Sequence, residues 1–214
     1  MRRIFLPCLC AAAAFAQAGK FGTFTNSGDV GGPALKGSTT FDATKGEYRI
    51  TGAGANMWAK EDQFQFVWRE ISGNFAVTAT MQFLGEGNAH RKAGIVLRQT
   101  LDTDSPYLDL VIHGNGMPGV QWRTTKGDIT NAFDFPFDSP AKFKLKLLRQ
   151  GSAITVWIAK DGAELRELGH TQIQLANPLL LGLAVCSHDA GKSDTAVFSD
   201  VSVESLPTPA ASKK

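Results

Sequence analysis

Cysteine is scarce in this chain, and so is any excess of one charge. Three cysteines occur in 214 residues, two of them, Cys8 and Cys10, within the first eighteen. Once that leader is discounted Cys186 stands alone, so no internal disulfide can form and stability must come from a core. A lone cysteine inside the apolar run 179–186 reads as a small buried apolar residue rather than a nucleophile. The four histidines, His90, His113, His170 and His188, show no HExxH or paired-ligand spacing, which argues against zinc. No Gly-x-Ser-x-Gly elbow supports serine hydrolysis. The glycine-rich stretches 28–32 and 52–54 have no helix after them, so they read as turns and not as phosphate cradles.

Basic and acidic residues number 22 and 20, and setting aside Arg2 and Arg3 leaves the two signs equal. That balance gives no reason to expect a nucleic-acid or anionic-membrane partner. Nor does any apolar run reach the roughly 20 residues that span a bilayer.

What is present begins with a leader. Met1-Arg2-Arg3 is a short basic start, residues 4–15 are mostly apolar, and Ala16-Gln17-Ala18 has the small-x-small form of a signal-peptidase site. Residues 1–18 are therefore expected to be a signal peptide, with export to the periplasm or beyond the cell. The residues before Cys8 and Cys10 do not resemble a lipoprotein box. Residues 19–206 fit one domain, and 207–214 (PTPAASKK) read as a disordered tail.

Glycine (22 residues), phenylalanine (14) and many Val, Ile and Thr are material for strands and turns. Alternation predicts strands over 47–51, 63–70, 74–84, 92–100, 107–113, 120–124, 142–149, 153–160, 164–170, 179–188 and 195–204, with no convincing helix. The reading is an all-β, two-sheet antiparallel sandwich. Two of these segments, joined by Ser72-Gly73-Asn74, give a hairpin signal. Phe64, Phe66 and Trp68 occupy alternate positions in one, and Phe75, Val77, Ala79, Met81 and Phe83 do so in the other, as a bulky core face. In 142–150, Phe143, Leu145 and Leu147 point inward and Lys142, Lys144 and Lys146 form a solvated outer face.

The strands 92–100, 107–113 and 120–124 are chemically richer. Ile95, Leu97, Leu108, Leu110 and Ile112 form the buried set, so Arg98, Asp109, His113, Gln121 and Arg123 fall on the opposite face with Tyr107 beside them, provided the three strands are neighbours. Planar donors and acceptors with an aromatic partner suit sugar hydroxyls and ring faces. A solvated face with cross-strand ion pairs would show the same residues.

Gly52-x-Gly54 before Trp58, Asp62-x-Phe64-x-Phe66, Ser72-Gly73-x-Phe75, Ala93-Gly94-x-x-x-Arg98, Gln121-x-Arg123, and a late segment 182–188 followed by Phe198 carry a resemblance. Together they resemble a bacterial family of concanavalin A-like β-sandwich domains sometimes labelled regulation-of-enolase-like, over roughly residues 26–204. The resemblance implies a jelly-roll sandwich of the lectin and glucanase type, whose concave sheet holds carbohydrate in many relatives. Carried over, the matching polar positions are Trp58, Asp62, Arg98, Gln121, Arg123 and His188. No attached catalytic, propeller or transport domain accompanies them in this chain.

Retaining glycosidases need two carboxylates about 5 to 5.5 Å apart. Only Asp109 falls on the candidate face within a strand, and a Glu-x-Asp-x-x-Glu spacing is absent, so the reading leans away from an enzyme. No cofactor is expected, although Asp102-x-Asp104 and the 189–194 loop are calcium candidates. The favoured function is a non-catalytic glycan-binding module using Trp58, Asp62, Arg98, Tyr107, Asp109, His113, Gln121, Arg123 and His188. The alternatives are a carbohydrate-active hydrolase built around Asp109 and His113, and a structural or protein-interaction domain of the cell envelope.

Overall fold

A computed structural model describes residues 20–136, 141–160 and 162–207. The expected signal peptide and tail lie almost wholly outside the described residues. The strands are, in chain order, β1 (Asn26–Val30), β2 (Ser38–Asp42), β3 (Glu47–Gly54), β4 (Met57–Trp58), β5 (Glu61–Asp62), β6 (Phe64–Ile71), β7 (Asn74–Leu84), β8 (Lys92–Arg98), β9 (Tyr107–His113) and β10 (Pro118–Arg123). They continue with β11 (Asn131–Asp134), β12 (Phe143–Gln150), β13 (Ala153–Lys160), β14 (Arg166–Gln172), β15 (Leu179–Cys186) and β16 (Asp189–Leu206). All eleven anticipated strands form. Five more are added, all in segments too short or too polar to alternate clearly, and no helix occurs among the described residues.

Two seven-stranded antiparallel sheets stack face to face. The first runs β1-β6-β15-β8-β9-β10-β11 and the second β14-β13-β12-β7-β16-β3-β2. Between them lies the main core, in which Val67, Ile95, Leu97, Leu108, Leu110 and Leu183 meet Phe75, Val77, Met81, Phe143, Leu145 and Phe198. Alternation along each strand sends every second side chain into this layer. The predicted inward set of β12 is found there, with Lys144 exposed on the other side of the strand.

The segment around Ser72-Gly73-Asn74 departs from the expected hairpin. β6 pairs with β1 and β15, whereas β7 pairs with β12 and β16, so the connection carries the chain from one sheet to the other. The two aromatic rows also serve different layers. Phe75, Val77 and Met81 enter the main core, while Phe64 and Phe66 point to the far side of the first sheet. There they form a second apolar cluster with Val30, Met57, Val96, Ala184 and Cys186, against which Trp68 and Leu180 pack. Alternation assigns a side chain to a face, but a short turn closes a hairpin or bridges two sheets with the same residue types.

That second cluster fixes the site. It exists because residues 55–63, including the small β4–β5 ribbon, fold back over the first sheet and cover part of its outer face. Met57, carried by this flap, is completely buried against the sheet. The face is thereby split into a sealed part and an open part.

Candidate functional site

The registers place β8, β9 and β10 side by side, with Val96 opposite Asp109, Asp109 opposite Gln121, and Tyr107 opposite both Arg98 and Arg123. The residues expected to share one face therefore do share it. Their exposure differs from the expectation: Asp62, Arg98, Tyr107, Asp109, His113, Gln121 and Arg123 are all buried. The open, solvated polar face anticipated from the alternation is roofed by the flap and by the loops after β8 and β10.

In the sealed part, Asp62 from β5 reaches down between two arginines. Its Oδ2 accepts from Arg98 Nη1 and from Arg123 Nη1, both at 2.9 Å, and its Oδ1 accepts from Arg123 Nη2 at 3.0 Å. Arg123 spends its remaining donors on the carbonyls of Asp128 (3.0 Å), Ser105 (3.0 Å) and Ala59 (3.0 Å). Arg98 donates to the carbonyls of Thr100 at 2.8 Å and of Asp102. Tyr107 lies beneath, 5.0 Å from the Arg123 guanidinium, with its hydroxyl 3.2 Å from Thr130 Oγ1. Burial pulls Arg98 below its ordinary pKa, and the Asp62 carboxylate opposes that shift. Every side-chain nitrogen and oxygen of these groups has at least one partner within the protein. Asp62, Arg98, Tyr107 and Arg123 form a buried strut that pins three loops, with no surface left to offer a ligand.

The open part is a cleft of about 270 Å³. It is lined by Asn56 and Trp58 from the flap, His90 and Lys92 at the start of β8, His113 and Met117 at the β9–β10 turn, Gln121, Asp134 from β11, and His188 after β15. Trp58, Gln121, His113 and His188 were anticipated. Asn56, His90, Lys92, Met117 and Asp134 were not. Strand parity carried a signal for Lys92, since Lys92, Gly94, Val96 and Arg98 alternate on one face; nothing local singled out the loop residues. Gly119 keeps the wall open, because a Cβ there would stand 3.1 Å from both Asp134 Oδ1 and His113 Cε1.

Protonation in the cleft follows from burial. The His113 ring is held at a pKa of about 4, first by desolvation and then by the Lys92 charge. At neutral pH it is uncharged, so the Nδ1 atom 3.0 Å from the Met117 carbonyl carries the proton and Nε2 is left as an acceptor. His188 is lowered by the same two causes, and its Nδ1 is buried without a hydrogen-bond partner. Lys92, nearly buried, lies below the usual ammonium range through desolvation, opposed chiefly by Asp109.

Asp109 does not line the cleft. It is fully buried, neither carboxyl oxygen makes a hydrogen bond of ordinary geometry, and desolvation pushes its pKa well above the carboxylate range. The backbone amide of Gln121 gives it only weak electrostatic help. Gln121 Oε1 likewise has no partner, yet Gln121 reaches the cleft wall. Unsatisfied buried polar atoms are uncommon in folded proteins.

The two calcium candidates are occupied by basic side chains. Asp102 and Asp104 both pair with Lys126, and Asp194 pairs with Arg91 at 2.8 Å. Among the described residues no group of three or more His, Cys, Asp or Glu is arranged to hold a metal ion. The His90 ring stands 6.2 Å from that of His113 and 5.5 Å from that of His188 between centroids.

No protein-family profile matches the chain, and no curated protein is similar to it in sequence. Solved structures are similar in fold. A functionally unknown protein from Saccharomyces cerevisiae superposes with a TM-score of 0.66 at 15% identity, over 85% of this chain and 97% of that one. A GH43 protein from Bacillus licheniformis gives 0.59 at 13% identity, over 85% of this chain and 39% of that one. The carbohydrate binding module CBM66 from Bacillus subtilis gives 0.54 at 16% identity, over 86% and 98%. The fold is thus a two-sheet antiparallel β-sandwich that a carbohydrate binding module shares.

Proposed function

We propose that the protein is an exported, non-catalytic carbohydrate-binding β-sandwich, related to the regulation-of-enolase-like family, that holds an oligo- or polysaccharide in the cleft between Trp58 and Gln121. The observation that carries this reading is the juxtaposition in one cleft of an aromatic ring with planar polar groups whose hydrogen bonding is incomplete. Trp58 supplies a stacking surface for a sugar ring. Gln121 Oε1 and the bare Nε2 of His113 accept from hydroxyls, and Asn56 and Asp134 stand at the rim. A volume near the lower end of small-ligand sites matches one sugar unit of a longer chain. The similarity in fold to a carbohydrate binding module supports the same reading.

The hydrolase alternative draws no support from the geometry. It rested on Asp109, which is fully buried, and among the described residues Asp134 is the one carboxylate lining the cleft. An envelope partner would engage residues other than these, and no described surface favours it.

A glycan array followed by calorimetry tests the proposal. Trp58→Ala is expected to weaken any saccharide found by about tenfold, equivalent to about 1.4 kcal/mol, with the melting temperature little changed. Absence of all saccharide binding, or undiminished binding by Trp58→Ala, overturns it.

A further inference from the structure

The cleft is electrically lopsided. Lys92 Nζ donates to Asn56 Oδ1 and to the Met57 carbonyl, both at 2.9 Å, which uses two of its three protons. Only 3% of the residue is exposed, yet among the described residues no carboxylate oxygen lies within 4.0 Å of that nitrogen. A buried ammonium without an ion-pair partner is costly, and the cost is relieved by an anion that can reach it.

Two imidazoles stand at the same end. His90 and His188 lie 5.5 Å apart between ring centroids. A single side chain holds them together: Asn88 Oδ1 accepts from the His90 backbone N–H at 2.8 Å, and Asn88 Nδ2 donates to the His188 carbonyl at 3.2 Å. His188 adopts φ +54°, a left-handed conformation uncommon outside glycine, which histidine tolerates better than most residues. Such backbone is kept where the surroundings enforce it, and here it aims the ring at the cleft. Among the described residues Asp134, carried on β11 and paired across the ladder with Gly119, is the one carboxylate of the lining. The lining thus offers one ammonium and imidazole rings beside a single carboxylate on β11.

We infer that the saccharide taken by this cleft is acidic, a uronate whose carboxylate sits against Lys92, His90 and His188 while its ring hydroxyls face Gln121 and Asp134. This rests on the saccharide-binding reading above and goes beyond it in fixing ligand charge and orientation. A carboxylate supplies the counter-charge Lys92 lacks and accepts charge-assisted hydrogen bonds from it. The positive field of Lys92 reaches His113 and His188 and lowers both, which favours their neutral imidazole forms. A neutral sugar would leave the ammonium unpaired.

The test uses oligomers of galacturonate, glucuronate and mannuronate, each beside its carboxyl-reduced neutral counterpart, titrated into the protein by calorimetry. At least one acidic oligomer is expected to bind tenfold or more tighter than its reduced form. Lys92→Met, which keeps the length of the side chain, is expected to bring that ratio close to one. His90→Ala, at an exposed loop position, narrows the ratio several-fold and carries the test if Lys92→Met fails to fold. Equal or stronger binding of the reduced oligomers, or a preference unmoved by both variants, overturns the inference and leaves the saccharide reading standing. Preference for sulfated over carboxylated chains overturns it as well. Binding of no saccharide on a broad array removes both.

Discussion

Asp62 and Arg123 meet through two parallel hydrogen bonds of 2.9 and 3.0 Å, with neither side chain exposed to any extent. The pair joins the flap to β10, and Arg98 completes it from β8. It explains how a segment with two very short strands stays seated on the sheet.

Removing the carboxylate should therefore unseat the flap. Asp62→Ala leaves two buried guanidiniums without a counter-charge, a change that costs about 3 to 5 kcal/mol. For a domain of this size that lowers the melting temperature by about 6 to 20 °C. A loss under about 2 °C in a thermal melt would show that the carbonyl oxygens alone suffice.

His113 should make stability fall in mild acid. Its pKa drops from 6.5 unfolded to about 4 folded, so its neutral form contributes fully above pH 6.5 and the contribution is lost as pH falls toward 4. The maximum is about 3 kcal/mol. Urea melts between pH 7 and 4 should show this slope in the wild type and a shallower one in His113→Gln; parallel slopes refute the assignment.

Asp109 has the opposite sign. A carboxyl whose folded pKa is raised stabilises the fold only while protonated, so its ionisation opposes folding as pH rises above the unfolded value near 3.8. Asp109→Asn fixes the neutral form and should raise the midpoint of denaturation at pH 7 to 8 more than at pH 4. A destabilised variant at pH 7 would mean that Asp109 is ionised and sustains Lys92.

Asn88 should matter to binding more than to folding. It is exposed, and its two hydrogen bonds order the backbone of His90 and His188. Asn88→Ala is expected to cost about 0.5 to 1.5 kcal/mol of saccharide affinity, the worth of a typical hydrogen bond, with a melting temperature close to that of the wild type. Unchanged affinity would remove the histidine pair from the site.

Much of this architecture is written in local alternation. The inward row of β12, the buried row of β8 and β9, and the sharing of one face by Arg98, Asp109, Gln121 and Arg123 all follow from a side-chain period of two, which depends on nothing beyond the strand itself. The same period is silent about what lies above that face. Whether Arg123 meets water or Asp62 depends on where residues 55–63 fold back, sixty residues away in the chain. Whether the link at Ser72-Gly73 makes a hairpin or crosses between sheets depends on which strands compete for β6 and β7.

The sequence by itself determined an all-β chain with two antiparallel sheets, most residues of the layer between them, and a polar row on β8 to β10. Only the tertiary structure decided that half of this row is a sealed ion-paired strut. It also decided that the other half opens beside Trp58, His90, Lys92, Asp134 and His188, residues brought in from four separate segments. The physical reason is that face assignment is a short-range property of backbone geometry, whereas burial and charge pairing are set by long-range packing.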